Sequence, residues 1–213
     1  MAATPVREEQ STEISFVSYK PVSPLQCIIS DGSPGPNISA LYTAKTLGLS
    51  TSGKCGYGAL GAMDSFGLEV LPRKRISTED APPPPKGKAK RRGETNAQLF
   101  MRRSMMNIQS ADATLIINNT ETTELNRCTL NAAGYAAHKK WETLPEHTEK
   151  KDYYSLDAKK KVFVVNRMCK KTARAVRRFI SSNKIESLCV IGSFDIPPNR
   201  KTISFLRDSF STP

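Results

Sequence analysis

The sequence has few of the residues on which catalysis and metal binding most often depend. It holds two histidines and five cysteines among 213 residues, and no two cysteines form a Cys-x-x-Cys pair. Such scatter argues against a zinc ribbon or a disulfide framework. The N-terminus has no apolar leader, so the scattered cysteines are expected to be free thiols in a reducing, intracellular compartment. A run of about 18 apolar residues is also missing, so neither a transmembrane helix nor a membrane partner is expected.

Apolar residues are scarce, and basic residues are concentrated. Hydrophobic residues make up 38% of the chain, below the usual ~45–50%, so some segments should lie outside the core. The net charge is +12, and residues 73–92 and 167–184 together carry more positive charge than this total. The remainder of the chain is therefore close to neutral.

The first basic segment has the composition of a disordered insert. Four consecutive prolines at 82–85 favour extended backbone, and almost no large apolar residue accompanies them. We predict that residues 73–93 form an exposed insert in the domain. It is interpreted as a solvated linker, with nuclear import and nucleic-acid binding as the alternatives. The candidate nucleic-acid contacts here are Arg73, Lys74, Arg75, Lys88, Lys90, Arg91 and Arg92.

The second basic segment has a helical pattern. Ala173, Val176, Phe179 and Ile180 recur at helical spacing. The cations fall largely on the other side, and no aromatic residue is interleaved with them, so a stacking platform for single strands is not indicated. A solvated helix face and a polyanion-binding surface remain the two interpretations. The candidate contacts are Lys170, Lys171, Arg174, Arg177 and Arg178.

The order of elements predicts an α/β fold. The predicted strands are 25–30, 68–71, 113–118, 161–166 and 187–192. The predicted helices are 36–47, 95–109, 124–139, 173–183 and 199–210. Strands without polar alternation are buried on both faces, and strands separated by helices form parallel sheets. We therefore predict a Rossmann-like, doubly wound, mostly parallel sheet of about five strands with helices on both faces.

The predicted elements form one domain, which carries an N-terminal extension and two inserts. Residues 1–24 are predicted to be an irregular N-terminal extension. Residues 25–213 form the single domain, interrupted by the basic insert and by a polar insert at 140–158. The polar connection is long for a loop of an α/β domain.

Ligands of such sheets bind beyond the carboxyl ends of the strands, so the loops there are the candidate site. The loop at 30–37 has two glycines before a helix whose free N–H groups could hold an anion. It is neither a G-x-G-x-x-G nor a Walker sequence, and a purely structural turn is the alternative. The predicted ligand contacts are Asp31, Gly32, Ser33, Gly35 and Asn37 in this loop, Thr120 and Thr122 after the middle strand, and Gly192, Ser193 and Asp195 after the last strand.

Catalytic groups are sparse in these loops. His138 and His147 both fall outside them, and no base accompanies Ser30, Ser33 or Ser193 as a serine nucleophile would need. Helix capping accounts for Glu121 and Glu124 more simply than an acid/base pair does. Catalysis is therefore not expected.

Four motifs resemble those of a known family. SDGSPGPNISAL at 30–41 resembles the opening S-G-G-Q-T-G-V-D-R-A-A-L of the putative molybdenum carrier family. LGL at 47–49 with GKC at 53–55 resembles its L-G-I…G-G-x-C-P. RSMMN at 103–107 with SADATLI at 110–116 resembles R-T-x-x-N…S-D-A-T-L-I, and LCVIG at 188–192 resembles L-N-V-A-G-P-R-E.

That family is a branch of the SLOG superfamily of Rossmann-like nucleotide-ligand binders, which includes the lysine-decarboxylase-like (LOG) phosphoribohydrolases. The resemblance implies the same fold, adds Arg103 and Asn107 to the candidate site, and implies a nucleotide or the molybdenum cofactor as ligand. Asp31, Ser33 and Pro34 replace the family's Gly, Gln and Thr, and the phosphoribohydrolase motif P-G-G-x-G-T-x-x-E is absent. The chain is thus identified as a divergent member.

Two functions follow from these observations. One is a SLOG-like protein that binds a nucleotide-derived or pterin-type anionic ligand at the Gly32–Gly35 loop, without catalysis. The other is a scaffold or nucleic-acid-associated protein that binds polyanions through residues 73–92 and 167–184. The sequence leaves the ligand, the oligomeric state (a homo-oligomer included) and nuclear localisation open.

Overall fold

Short strands alternate with helices through most of the described chain. The computed structural model describes residues 19–56, 64–72, 96–118, 153–157, 161–193 and 196–212. In chain order the strands are β1 (Lys20–Pro21), β2 (Cys27–Ile29), β3 (Ser50–Cys55), β4 (Leu68–Val70), β5 (Ala113–Ile117), β6 (Tyr153–Asp157), β7 (Val162–Val165), β8 (Ser187–Gly192) and β9 (Ser211–Thr212). The helices are α1 (Pro36–Thr46), α2 (Asn96–Gln109), α3 (Lys170–Ser182) and α4 (Arg200–Phe210).

Seven strands form one sheet in the order β4-β3-β2-β8-β5-β7-β6. Neighbours are parallel except at the β6 edge, which is antiparallel to β7. The mostly parallel α/β fold is thus confirmed, with more strands than the predicted number. β3 was not predicted because its sequence, STSGKC, lacks an apolar run. The last part of the segment predicted as a polar insert forms β6.

The core lies on both faces of the sheet because alternate residues of each strand point to opposite sides. In β8, Leu188 and Val190 belong to the larger cluster, which is closed by α1, α3 and α4. Cys189 and Ile191 face the other way, against Phe100 of α2. The predicted arrangement of helices on both faces is therefore present.

Helix ends follow local chemistry. Pro36 is the first residue of α1, where its fixed φ suits the helix and its missing N–H is not needed for an intrahelical bond. α4 begins after Asn199, whose side-chain oxygen accepts the Thr202 N–H at 3.0 Å. α1 begins seven residues after the end of β2, and α4 begins eight residues after the end of β8.

Part of the segment predicted as an irregular extension belongs to the fold. β1 pairs with β9 in an antiparallel ladder. Val22 is 2% exposed, and its N–H donates to the Phe210 carbonyl at 2.8 Å. Residues 19–24 therefore pack against the C-terminal helix. The predicted helix 124–139, the insert 73–93 and most of 140–158 lie outside the described residues.

No helix within the described ranges is long and apolar enough to cross a bilayer.

Candidate functional site

The carboxyl ends of β2, β5 and β8 meet at one edge of the sheet. After β4 the chain crosses from one side of β2 to the other, where β8, β5 and β7 follow. Such a change of direction is where open α/β sheets bind ligands. The predicted site loops after β2 and β8 both lie at this point.

Asp31, two residues after the end of β2, organises the first loop. Its carboxylate accepts the Ser33 N–H at 2.9 Å, the Ser33 hydroxyl at 2.8 Å and the Asn37 amide at 2.6 Å. Asp31 is 3% exposed, so the carboxylate is held by the chain's own donors. These bonds fold the loop back onto the start of α1.

Arg103 of α2 supplies the opposite charge. Its Nη2 lies 3.5 Å from the Asp31 carboxylate, and its side chain is 13% exposed. A buried carboxylate needs such compensation because desolvation penalises an isolated charge. Gly56 makes room for the guanidinium, since a Cβ at that position would lie 2.1 Å from Arg103 Nη1.

Asn37 ties the first and last loops together. Its side-chain oxygen accepts the Gly192 N–H at 2.6 Å, while its amide nitrogen donates to Asp31. Gly192 packs so closely on Pro36 that a Cβ there would lie 2.4 Å from the proline ring. The loops after β2 and β8 therefore contact each other directly.

The Gly35 turn is covered by the chain itself. Gly35 has φ +95°, and a Cβ would lie 2.7 Å from the Ile196 carbonyl and 3.1 Å from the Ser193 carbonyl. At the start of α1, Pro36 lacks an N–H and the Ile38 N–H donates to the Ser33 carbonyl at 3.0 Å. An anion above this turn would face carbonyl oxygens and few donors.

Within the described residues, three buried polar atoms at this edge have no hydrogen-bond partner. They are Arg103 Nε, Asn118 Oδ1 and Ser193 Oγ. Ser193 and Asn118 are neighbours past the ends of β8 and β5, since the Ser193 N–H donates to the Ile117 carbonyl at 3.0 Å. Buried polar atoms are nearly always paired, because an unmade hydrogen bond costs the desolvation of the group. These three atoms are therefore buried groups whose hydrogen bonds the described residues leave unmade.

Asn107, the other residue implied by the resemblance, supports the sheet. Its oxygen accepts the Lys54 N–H at 2.7 Å, and its amide donates to the Lys54 carbonyl at 3.2 Å. It is 2% exposed. Both groups of the amide are used to hold α2 against β3.

The thiols of Cys55 and Cys189 are both buried. Burial raises the pKa of the Cys55 thiol, and the nearby Arg103 guanidinium opposes this only in part. Burial also raises the pKa of the Cys189 thiol. Both are held as thiols, and the described ranges contain no group of three or more His, Cys, Asp or Glu side chains that could hold a metal. A molybdenum ion bound directly by side chains does not fit this donor set.

The remaining predicted residues divide into two groups. Thr120, Thr122 and Asp195 lie outside the described residues, as do the basic side chains of 73–92. In α3, Lys170, Lys171, Arg174 and Arg178 are exposed, whereas Arg177 is half-buried and donates to the Ser211 carbonyl at 3.1 Å.

Sequence reasoning missed Asn118 and Gly56 as site residues. The available signal for Asn118 was its position as the first polar residue after a buried strand. Nothing in the sequence around Gly56 indicates its role, because the guanidinium that it makes room for belongs to Arg103, 47 positions later in the chain.

Comparison with known proteins gives one informative result. No protein-family model and no curated protein matches the chain. Among solved structures, the chain is similar to the putative molybdenum carrier protein from Syntrophus aciditrophicus SB, with 16% sequence identity and a TM-score of 0.53. The match covers 89% of this chain and 94% of the other. This chain therefore has the α/β fold of that protein, which is the conclusion that the comparison supports.

Proposed function

We propose that this protein binds a small nucleotide-derived or pterin-type ligand at the edge formed by the ends of β2, β5 and β8, and that it does so without catalysis. The supporting observation is the set of three unpartnered buried atoms, Arg103 Nε, Asn118 Oδ1 and Ser193 Oγ. They lie where folds of this class bind ligands.

The chemistry of these atoms favours the edge of a heterocycle. Arg103 Nε donates, Asn118 Oδ1 accepts, and the Ser193 hydroxyl does both. Purine and pterin rings offer donors and acceptors side by side, which are the kinds of partner that these groups lack. The structural neighbour is named a carrier of molybdenum, and a pterin is the organic part of the molybdenum cofactor. The donor and acceptor types of the three groups match those that a pterin ring offers, and the pterin would supply the molybdenum ligands itself.

The Asp31–Arg103 pair limits the charge of the ligand. The two side chains neutralise each other, so the edge carries little net positive charge for a phosphate. Asp31 also places a carboxylate where an anion would meet the loop. The ligand's ring therefore contributes more to affinity here than its anionic group does.

Ser193 gives the sharpest test. Ser193→Ala removes a hydroxyl without a partner, so the variant should fold at least as stably as the unmodified protein. Binding of guanosine monophosphate and of neopterin is measured by calorimetry and by the rise in melting temperature. We expect one of the two to bind, and the variant to bind it about tenfold more weakly, as for the loss of one hydrogen bond.

Ser209→Ala is the matched control. Ser209 is also fully buried, but its hydroxyl donates to the Phe205 carbonyl at 2.8 Å within α4. This variant should lose stability and retain binding. The proposal is wrong if neither probe binds, if Ser193→Ala binds as well as the unmodified protein, or if it is destabilised as much as Ser209→Ala.

A further inference from the structure

The exposed side of α3 carries a concentration of positive charge. Lys170, Lys171, Arg174 and Arg178 are exposed, and they form no hydrogen bond or ion pair within the described residues. Cations four positions apart in a helix repel each other. The first turn holds no acidic residue, so the lysines there also oppose the positive end of the helix dipole. This arrangement lowers the stability of the free helix and would be relieved by a bound polyanion.

A groove runs along one side of α3. It has a volume of about 440 Å³ and is lined by Lys171, Arg174 and Arg178. Its apolar lining comes from Phe163 of β7 and Phe179 of α3, whose ring centroids are 5.1 Å apart. The groove thus combines three cations with an apolar floor, the two surfaces that a nucleotide requires.

A second groove, of about 220 Å³, lies on the other side of the helix. Lys170 and Arg177 line it together with Tyr19, and Arg174 lines both grooves. Asp208 is the acidic residue of this lining, and it lies 3.8 Å from the Arg207 guanidinium. The positive surface is therefore continuous across α3 from one groove to the other.

Tyr19 supplies an aromatic ring beside these cations. It is half-buried, with the Arg207 guanidinium 4.6 Å from its ring centroid. This aromatic residue could not be recognised from the local sequence of α3, because Tyr19 lies about 150 positions earlier in the chain. The pairing of β1 with β9 places it there.

From this juxtaposition we propose that the face of α3 binds single-stranded nucleic acid. The sugar-phosphate backbone of the strand would cross α3 at Arg174. Its phosphates would lie against the cations of both grooves, and one base would lie beside Tyr19. A continuous band of cations suits a repeating phosphate chain better than a single anion. A single strand bends into grooves on both sides of a helix, whereas a duplex, with a persistence length of about 50 nm, does not.

Fluorescence anisotropy with the full chain tests this proposal. The probes are labelled oligouridylate and oligothymidylate of about 12 nucleotides, within the range that single-strand sites cover, and a duplex of equal length. Affinity is measured at several salt concentrations between about 50 and 200 mM. We expect both single strands to bind more tightly than the duplex.

The variant Lys171→Gln/Arg174→Gln/Arg178→Gln removes three cations from the large groove. Its control, Lys45→Gln/Arg200→Gln/Lys201→Gln, removes the same charge from exposed positions on α1 and α4. Because each single-strand phosphate contributes about 0.7 to the slope of log affinity against log salt, the first variant should reduce the slope by about 2. The control should leave it unchanged, and because residues 73–92 are identical in the two variants, the difference between their slopes reports the cations of α3.

Tyr19→Leu tests the aromatic contact. Loss of stacking on a partly exposed ring should weaken single-strand binding by about fivefold without a change in the salt slope. The proposal is overturned if no single strand binds at low salt, if the duplex binds more tightly, or if the α3 variant and its control lose affinity equally. If the oligouridylate binds and the oligothymidylate does not, the proposed surface stands and its ligand is RNA.

Discussion

At the scale of single residues, the ion pair of Asp31 and Arg103 determines the character of the site. The carboxylate is 3% exposed and depends on Arg103 and three hydrogen bonds. The sequence places Asp31 in the loop correctly, but it does not show what compensates the charge. Residue 103 lies on a helix that packs on the opposite face of the sheet from α1.

Arg103→Met should therefore be strongly destabilising. It leaves the Asp31 carboxylate buried without its cation, which typically costs about 3–5 kcal/mol. Urea unfolding gives the free energies of this variant, of Asp31→Asn and of the double variant. The double variant should lose much less stability than the sum of the two single changes. Strict additivity would show that the two side chains do not interact.

Gly35 is a second residue whose role depends on packing. Its φ of +95° and the carbonyls of Ile196 and Ser193 leave no space for a Cβ. Gly35→Ala should lower the free energy of unfolding by about 1–3 kcal/mol, measured by urea unfolding. The matched change Gly48→Ala also has positive φ but meets no atom within 4 Å, so it should cost less. Equal losses at the two positions would mean that the turn is not tightly packed.

At the scale of elements, Asp112 joins the starts of β5 and β8. Its carboxylate accepts the Ser187 N–H at 2.9 Å, the Ser187 hydroxyl at 3.0 Å and the Glu186 N–H at 3.1 Å. The Ser187 N–H is the largest of the causes that lower the pKa of Asp112, against a smaller opposing effect of burial. The pairing of the two central strands is thus supported by a charged group.

This pKa shift makes part of the stability dependent on pH. Because the pKa is lower in the folded state, the contribution is complete above the unfolded value of about 3.9 and is lost as pH falls through the folded value. Asp112→Asn should reduce the urea midpoint at pH 7, and the reduction should become smaller as the pH is lowered below about 3.9. A reduction that keeps the same size across this pH range would contradict the assigned cause.

Prediction of the elements succeeded where the apolar pattern was strong. β5 and β7 are buried at every position, and their sequences, ATLII and VFVV, indicate this directly. β3 was missed because its polar residues are held by parallel pairing with β2 and β4. Strand pairing of that kind depends on neighbours distant in the chain, so a local pattern does not reveal it.

At the scale of the whole molecule, one basic segment contains a helix of the fold, α3, and the other lies between two of its elements. The described domain is closed by helices on both faces of the sheet, and the basic residues of 73–92 fall between β4 and α2. The carbonyl of Pro72, just before this segment, accepts a hydrogen bond from Arg102 Nη2 at 2.6 Å. The attachment of that segment therefore lies beside α2.

Replacing residues 73–93 with a short Gly-Ser linker should leave the fold intact. Loop length affects closure by only about 0.6 kcal/mol per doubling, so the free energy of unfolding should change by no more than about 1 kcal/mol. Thermal and urea unfolding of the two chains provide the measurement. A loss of several degrees in melting temperature would show that the segment packs onto the domain.

The sequence by itself determined the class of fold, the position of most elements and the location of the basic helix. These properties follow from apolar periodicity and local charge, which short windows of sequence contain. Only the tertiary structure decided that Asp31 is neutralised by Arg103, that the Gly35 turn is covered by the chain's own carbonyls, and that Tyr19 lies beside α3. Each of these depends on how segments far apart in the chain pack together. That packing decides which charges lose their water and which backbones come into close contact.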